Sequence, residues 1–252
     1  MQFVEFEQIF DEYSHSINKF EFSSDMKRKL FSFMQVVLQK NKVMNLTSIV
    51  DEKEFIIKHY IDSLQFLNIK NFNEAFLLNN EMNFLDLGTG AGFPGIPLAI
   101  VLNKNNIHFV LVDSLQKRLD FLKEVIDELG LFNVKLVHAR AEDIAKDLLY
   151  REKFDFVLSR GVAKIATLAE YLLPLTKVSA FAIMYKMLDC DDEITKSRNA
   201  IKILGGKISN CNYIYNLIDN EPARQLLVIN KIEHTPNKYP RKAGIPTKNP
   251  II

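Results

Sequence analysis

Cysteine is scarce. The chain has two, Cys190 and Cys211, in unlike contexts and outside any CxxC pair. That argues against a disulfide framework or a zinc site and fits a reducing compartment. No apolar stretch approaches the roughly 20 residues needed to span a bilayer, so no membrane role is expected. The opening segment, MQFVEFEQIFDEY, is acidic and lacks a basic region followed by an apolar run. It predicts neither a secretory signal nor a transit peptide, and the expected location is cytoplasmic. A strong charge of one sign is also absent. The net charge is +1, so no global field draws nucleic acid, and any basic surface must be local. Internal repeats and low-complexity blocks are missing.

What is present changes character along the chain. Phe3, Phe6, Phe10 and Tyr13 recur at helical spacing, and Leu30, Phe33, Met34, Val37 and Leu38 form a second helical stripe that Ser23, Ser24 or Asp25 can cap. A third helix is expected from Asp51, with Glu54 as a capping-box partner, carrying Phe55, His59 and Leu67. From about Asn83, strand-like segments alternate with helical ones: NFLDL, HFVLVD, VKLVHA, FDFVLSR and AFAIMYK. Ser114 is placed to cap the helix after HFVLVD, and Gly130 to end it. Two late segments, KISNCNYIY and RQLLVIN, have no helical stretch between them. The alternation predicts an α/β fold: a doubly wound, mostly parallel sheet with one antiparallel edge strand, preceded by a helical N-terminal extension. The reading divides the chain into residues 1–70, 71–235 and a tail, 236–252. The tail holds four of the eight prolines, four basic residues and no acid. It should be extended, and either mobile or laid along a surface.

The stretch after the first strand, DLGTGAGFPGI (86–96), has glycines at 88, 90 and 92. A first βα loop in such a sheet is the usual ligand cradle. A phosphate loop needs GxxxxGK[ST], and no lysine follows these glycines before Lys104. A dinucleotide fingerprint needs GxGxxG, but Phe93 stands at the third position, and a pyrophosphate would lie near Asp86. S-adenosylmethionine has a cationic ammonium and sulfonium and no phosphate. Asp86 could serve its ammonium, directly or through water. The amides of Gly88 and Gly90 suit its carboxylate, and Asp113, ending the second strand, suits both ribose hydroxyls. Ala141 and Glu142, after the third strand, fall where adenine would lie. Taken singly, each acid could equally be a helix cap or a solvated first-turn residue.

The chain resembles the RsmG (GidB) family, bacterial methyltransferases that act on N7 of a guanine in 16S ribosomal RNA. The matching stretches are NKVMNLTSI (41–49), KHYIDSL (58–64), FLDLGTGAGFPGIPLAIV (84–101), LVDSLQKRLDFLKEV (111–125), ARAED (139–143), LSRGVAKIATLAEYLLPL (158–175), YK (185–186), RQLLVI (224–229) and KYPRKAGIPTKNPI (238–251). The resemblance implies a Rossmann-like methyltransferase fold and S-adenosyl-L-methionine as cofactor, held by Gly88, Phe93, Ala141, Glu142 and Arg160. It implies substrate-side polar residues at Asn45, His59, Arg140, Arg160, Lys186 and Arg224. Two departures stand out: Gly161, where the family usually has alanine, and Met187, where glycine is common.

The chemistry agrees with the resemblance. The loop after the fourth strand reads Ser159-Arg160-Gly161-Val162, without the Asp/Asn-Pro-Pro-aromatic run that orients an exocyclic amine. Neither cysteine sits beside proline as a C5-methylating nucleophile would. Guanine N7 already presents a lone pair and needs no general base, so alignment and water exclusion can carry the reaction. Arginine or lysine fits the paired N7 and O6 acceptors. Arg160 and Lys186, at the ends of the fourth and fifth strands, are expected to face the pocket. One of them would engage O6 or a flanking phosphate; the plainer alternative is an ion pair with Glu142 or Asp86. His59 is equally readable as a core residue. In the tail, Lys238, Arg241, Lys242 and Lys248 would clamp RNA phosphates, unless the tail merely solubilises. The expected partner is 16S ribosomal RNA or the small subunit, with no metal, and the chain is read as a monomer. A small-molecule methyltransferase and a non-catalytic cofactor-binding RNA chaperone stay open as alternatives.

Overall fold

The computed structural model describes residues 1–17, 20–70, 72–73, 81–209 and 212–252. Cys211 therefore lies outside the described residues. Two helices open the chain, α1 (Phe3–Ser14) and α2 (Ser24–Met44). Ser23 caps α2 by accepting from the Met26 N–H at 3.3 Å. The next helix, α3, begins at Glu52–Phe55, passes through a π-helical segment, Ile56–Ile61, and ends in a turn at Asp62–Leu64. Asp51 caps it through the Glu54 N–H at 2.8 Å. Glu54 does not close the capping box; its carboxylate pairs with Lys58 one turn on. The π segment holds the buried His59, and the buried Asp62 follows it directly. Such bulges are frequent at functional sites.

Five strands run parallel: β1 (Met82–Leu87), β2 (Ile107–Asp113), β3 (Val134–His138), β4 (Phe154–Arg160) and β5 (Thr176–Met187). Their connections contain α4 (Gly95–Val101), α5 (Gln116–Leu129), the short α6 (Ala141–Ile144) and α7 (Ile165–Leu172). Then come α8 (Asp191–Ile203), β6 (Gly206–Ile208), β7 (Tyr213–Tyr215), β8 (Arg224–Lys231) and α9 (Ile245–Lys248). The sheet order is β3-β2-β1-β4-β5-β8-β6, with β7 also on β8. The order reverses between β1 and β4, which makes the crevice above their carboxyl ends the place for a ligand.

The mixed sheet matches the expectation, with one difference of position. The antiparallel strand β8 is interior, paired with β5 on one side and with β6 and β7 on the other. Its run of buried residues, Gln225 to Ile229, suits a strand covered on both faces. On its far side stand two three-residue strands, β6 and β7. Ser114 does not cap α5. The helix starts at Gln116, and Asp113 takes the Leu115 N–H at 2.9 Å instead.

Two apolar layers flank the sheet. On one face Phe84, Phe109, Phe156 and Phe181 form a ladder across β1, β2, β4 and β5, with neighbouring centroids 4.7, 5.0 and 5.7 Å apart. The N-terminal helices join this same cluster through Phe66, Phe33 and Phe6. The other face is built from Leu85, Val157, Met184 and Ile229 against α7 and α8.

Candidate functional site

A cavity of about 310 Å³ opens above the carboxyl ends of β1 and β2. Gly88, Asp113, Ser114, Arg118, Ala141 and Val162 are among its walls. Gly88 has φ +73°, and a Cβ there would stand 2.5 Å from Val162 Cγ2. Only glycine satisfies both conditions. Gly161, beside Val162, has φ +68° and open space around it, so the family's usual alanine would be strained in backbone rather than crowded.

The glycine amides of the loop are committed within the protein and do not face the cavity as anion donors. Gly88 and Thr89 both donate to Val112 O, at 2.9 and 3.0 Å. Gly90 donates to Asp113 Oδ2 at 3.0 Å, and Gly92 and Phe93 donate to Thr89 O. Gly95 donates to Asp86 Oδ2 at 3.0 Å. A phosphate nest needs several free amides pointing outward, and these point inward. The expected contact of Gly88 and Gly90 amides with a carboxylate is corrected for the same reason. These glycines admit close approach of a ligand to the backbone without offering donors.

Asp86 is fully buried and accepts from Thr89 Oγ1 at 2.7 Å as well as from Gly95. Its other oxygen, Oδ1, is buried without a hydrogen-bond partner among the described residues. Burial pushes its pKa up to about 6, against the opposing pull of Thr89 and Gly95. Asp113 accepts three donors: Gly90, Leu115 and Arg118 Nη1, the last at 3.2 Å.

A second polar group lies where α3 meets β4 and β8. Arg160 donates from Nη1 to Asp62 Oδ2 at 2.7 Å and to Lys58 O at 3.1 Å, and from Nη2 to His59 Nδ1 at 2.7 Å. A guanidinium cannot accept, so His59 Nδ1 is the acceptor and Nε2 carries the proton. That N–H donates to Thr47 Oγ1 at 2.8 Å. Burial and the charges of Arg160 and Arg224 lower the His59 pKa to about 3, so the ring is neutral. It stacks on Phe93 at 4.3 Å and 8°, and Arg160 lies over the same phenyl ring at 5.4 Å. Arg224 Nη1 reaches Asp62 Oδ1 at 3.3 Å, where Tyr215 OH also donates at 2.8 Å. Thr47 is held in turn by Asn41, whose side-chain amide bonds both its N–H and its carbonyl.

The structure thus brings together His59, Arg160, Arg224 and Phe93. Asn45 ends α2 with φ 50° and is exposed. Arg140 is exposed at the start of α6. Lys186 is separated from the group. Strand alternation turns Tyr185 toward α3, where its hydroxyl meets Ser63 O, and puts Lys186 on the opposite face. There it pairs with Glu193 at 3.0 Å, a carboxylate that also takes the Ile165 N–H. The expectation that Lys186 faces the pocket beside Arg160 is corrected accordingly. Glu142 is not in the cavity wall. Its Oε1 accepts from Tyr171 OH and from the Gly244 N–H in the tail.

The tail is laid along the surface, and its Ile245–Lys248 turn is helical, with proline in the first turn where a missing N–H costs nothing. Arg241 is not free to meet phosphate. It donates to fully buried Glu170 from its backbone, Nε and Nη2. Lys238, Lys242 and Lys248 are exposed. Arg151 donates to the carbonyls of Thr235 and Tyr239 at the tail's root. Among the described residues no group of histidine, cysteine and acids could hold a metal, and no helix is long and apolar enough to cross a membrane. Asp62, Tyr215, Thr47 and Arg118 were not singled out in the sequence. For Asp62 a signal existed: an acid three residues after His59, on a helix whose neighbours are apolar.

The family model for GidB, rRNA small subunit methyltransferase G, matches residues 26–221. A protein of Desulforamulus reducens named ribosomal RNA small subunit methyltransferase G is 43% identical over 92% of this chain and 93% of its own. One of the same name from Alkaliphilus oremlandii is 41% identical over 98% and 100%. Among solved structures, M. jannaschii TYW2 in complex with AdoMet has a TM-score of 0.48 and 16% identity, covering 66% of this chain and 76% of that one. The chain belongs to the GidB family, rRNA small subunit methyltransferase G.

Proposed function

We propose that the protein transfers a methyl group from S-adenosyl-L-methionine to N7 of a guanine in 16S ribosomal RNA. The observation that carries the cofactor reading is the inward commitment of the loop amides. The loop is open to close approach yet offers no nest for a phosphate, and Asp86 and Asp113 stand beside it. Those features fit a ligand with an ammonium, a ribose and a sulfonium. The cofactor supplies an electrophilic methyl on a positively charged sulfur.

Gly88, Ala141 and Val162 would form the walls around it. Asp113 would take the ribose hydroxyls. A carboxylate has about four acceptor sites, and three are in use, so the Arg118 side chain, which is 36% exposed, would yield one. Asp86 Oδ1, buried and unpartnered among the described residues, would serve the ammonium. Arg160 is the cation available for a carboxylate, since the glycine amides are committed.

For the acceptor, His59 cannot act as a base: Nδ1 is bonded to Arg160, and Nε2 already carries its proton. A donor-rich, baseless group suits a nucleophile that loses no proton, as guanine N7 does. Arg160 and Arg224 supply donors for N7's neighbour O6 or for a phosphate. The exposed cations Arg140, Lys238, Lys242 and Lys248 would meet the RNA backbone. The test is nucleoside mass spectrometry of small-subunit RNA incubated with the protein and methyl-labelled cofactor. Labelled 7-methylguanosine is expected; label in any other nucleoside, or none, overturns the reading.

A further inference from the structure

We infer that Asp62 is a positioning residue, which holds Arg160 and Arg224 as a fixed pair for the methyl transfer; this rests on the function proposed above. Its carboxylate is 1% exposed and is met from three strands: it accepts hydrogen bonds from Arg160 at the end of β4 and Tyr215 on β7, and it forms an ion pair with Arg224 at the start of β8. Arg160 is fixed on its outer edge by Asp62, Lys58 O and His59 Nδ1. Its Nε edge, with no partner among the described residues, is left for a ligand.

Within this contact group, one carboxylate between two guanidiniums and a neutral His59 leaves a surplus of one positive charge, which nearby Asp86 offsets in part. That surplus is what an anionic or acceptor-rich ligand would meet. Without the carboxylate the two cations face each other uncompensated in a poorly solvated place, and Arg224, held by this contact alone among those described, would swing outward. A buried ion group is weak evidence for stability, since apolar residues of the same volume do as well. The arrangement makes more sense as geometry control, where a displacement near 1 Å costs on the order of 100-fold in rate.

The test uses the full chain with Asp62→Asn and Tyr215→Phe. Single-turnover methylation of under-methylated small subunits is measured at saturating subunit and cofactor, beside subunit affinity, thermal midpoint and ¹⁵N spectra of arginine side chains. Asp62→Asn is expected to slow the step on the order of 100-fold, to change subunit affinity far less, and to merge the separate Nη signals of Arg160. Tyr215→Phe, which removes one hydrogen bond to the carboxylate, is expected to cost about tenfold. It serves as the decisive variant should Asp62→Asn fail to fold. An unchanged rate with resolved Arg160 signals overturns the inference, as does a rate that falls only with the folded fraction. A wild-type protein inactive on the subunit overturns the functional reading and this inference with it; an active wild type beside an equally active variant overturns the inference alone.

Discussion

At the scale of single residues, the site works by contrasts between neighbours. Asp86 and Asp113 end adjacent strands, yet burial raises Asp86 to about 6, whereas Asp113 accepts three donors. The charged groups acting on Asp86 are Arg160, which lowers its pKa, and Asp113, which raises it. Above pH 6 the Asp86 carboxylate is ionised and attracts an ammonium; below it the group is protonated and the attraction is lost. Affinity for S-adenosylmethionine should therefore fall as pH drops through 6, by up to about tenfold per pH unit. Asp86→Asn should flatten that dependence. Calorimetric titrations at about pH 5 and about pH 7.5 check it, and equal wild-type affinities would contradict the role given to Asp86. His59 adds no step in this range, because its burial keeps it neutral far below neutral pH.

At the scale of elements, the tail separates two kinds of cation that look alike in sequence. Arg241 is bound to buried Glu170, whereas Lys242 and Lys248 are exposed. Arg241→Ala should destabilise the fold by about 3 kcal/mol, because it leaves a buried carboxylate unpaired. Replacing Lys242 and Lys248 by alanine should leave the thermal midpoint unchanged and reduce the salt dependence of RNA binding by roughly one to two units of slope. Denaturant titration and binding at several salt concentrations distinguish the two, and an unaltered slope would remove these lysines from the interface. Elements with strong periodicity were readable: the five parallel strands, α2 and α5 fall where their apolar patterns put them. Helix α8 was not anticipated, although Asp191, Asp192 and Glu193 in its first turn and Lys202 in its last are helix-end signals. The interior place of β8 depends on what covers its far edge, which a single strand's pattern does not state. The same holds for Lys186, whose face the sequence alone does not state. Whether a strand-end cation joins a neighbour depends on which face it takes, and that follows from register, which only the paired strands fix.

At the scale of the whole molecule, the N-terminal helices are one layer of the sheet fold. A single apolar cluster runs from Phe6 through Phe33 and Phe66 to the phenylalanine ladder. This layer carries His59 and Asp62 onto β4 and β8, so the polar group exists only where the layer and the sheet are assembled. The other face carries α7, α8 and the tail, and Glu142 ties the tail to the segment whose neighbour Ala141 borders the cavity. The central claim is that this cavity takes a nucleoside bearing an amino-acid-linked sulfur and refuses phosphoryl ligands. Calorimetric titration of the intact protein with S-adenosylmethionine, S-adenosylhomocysteine, ATP and NADH tests it most directly. The account predicts saturable one-to-one binding of the first two, lost in Gly88→Ala, and no binding of ATP or NADH. Saturable NADH or ATP binding, with neither sulfur compound bound, would contradict it.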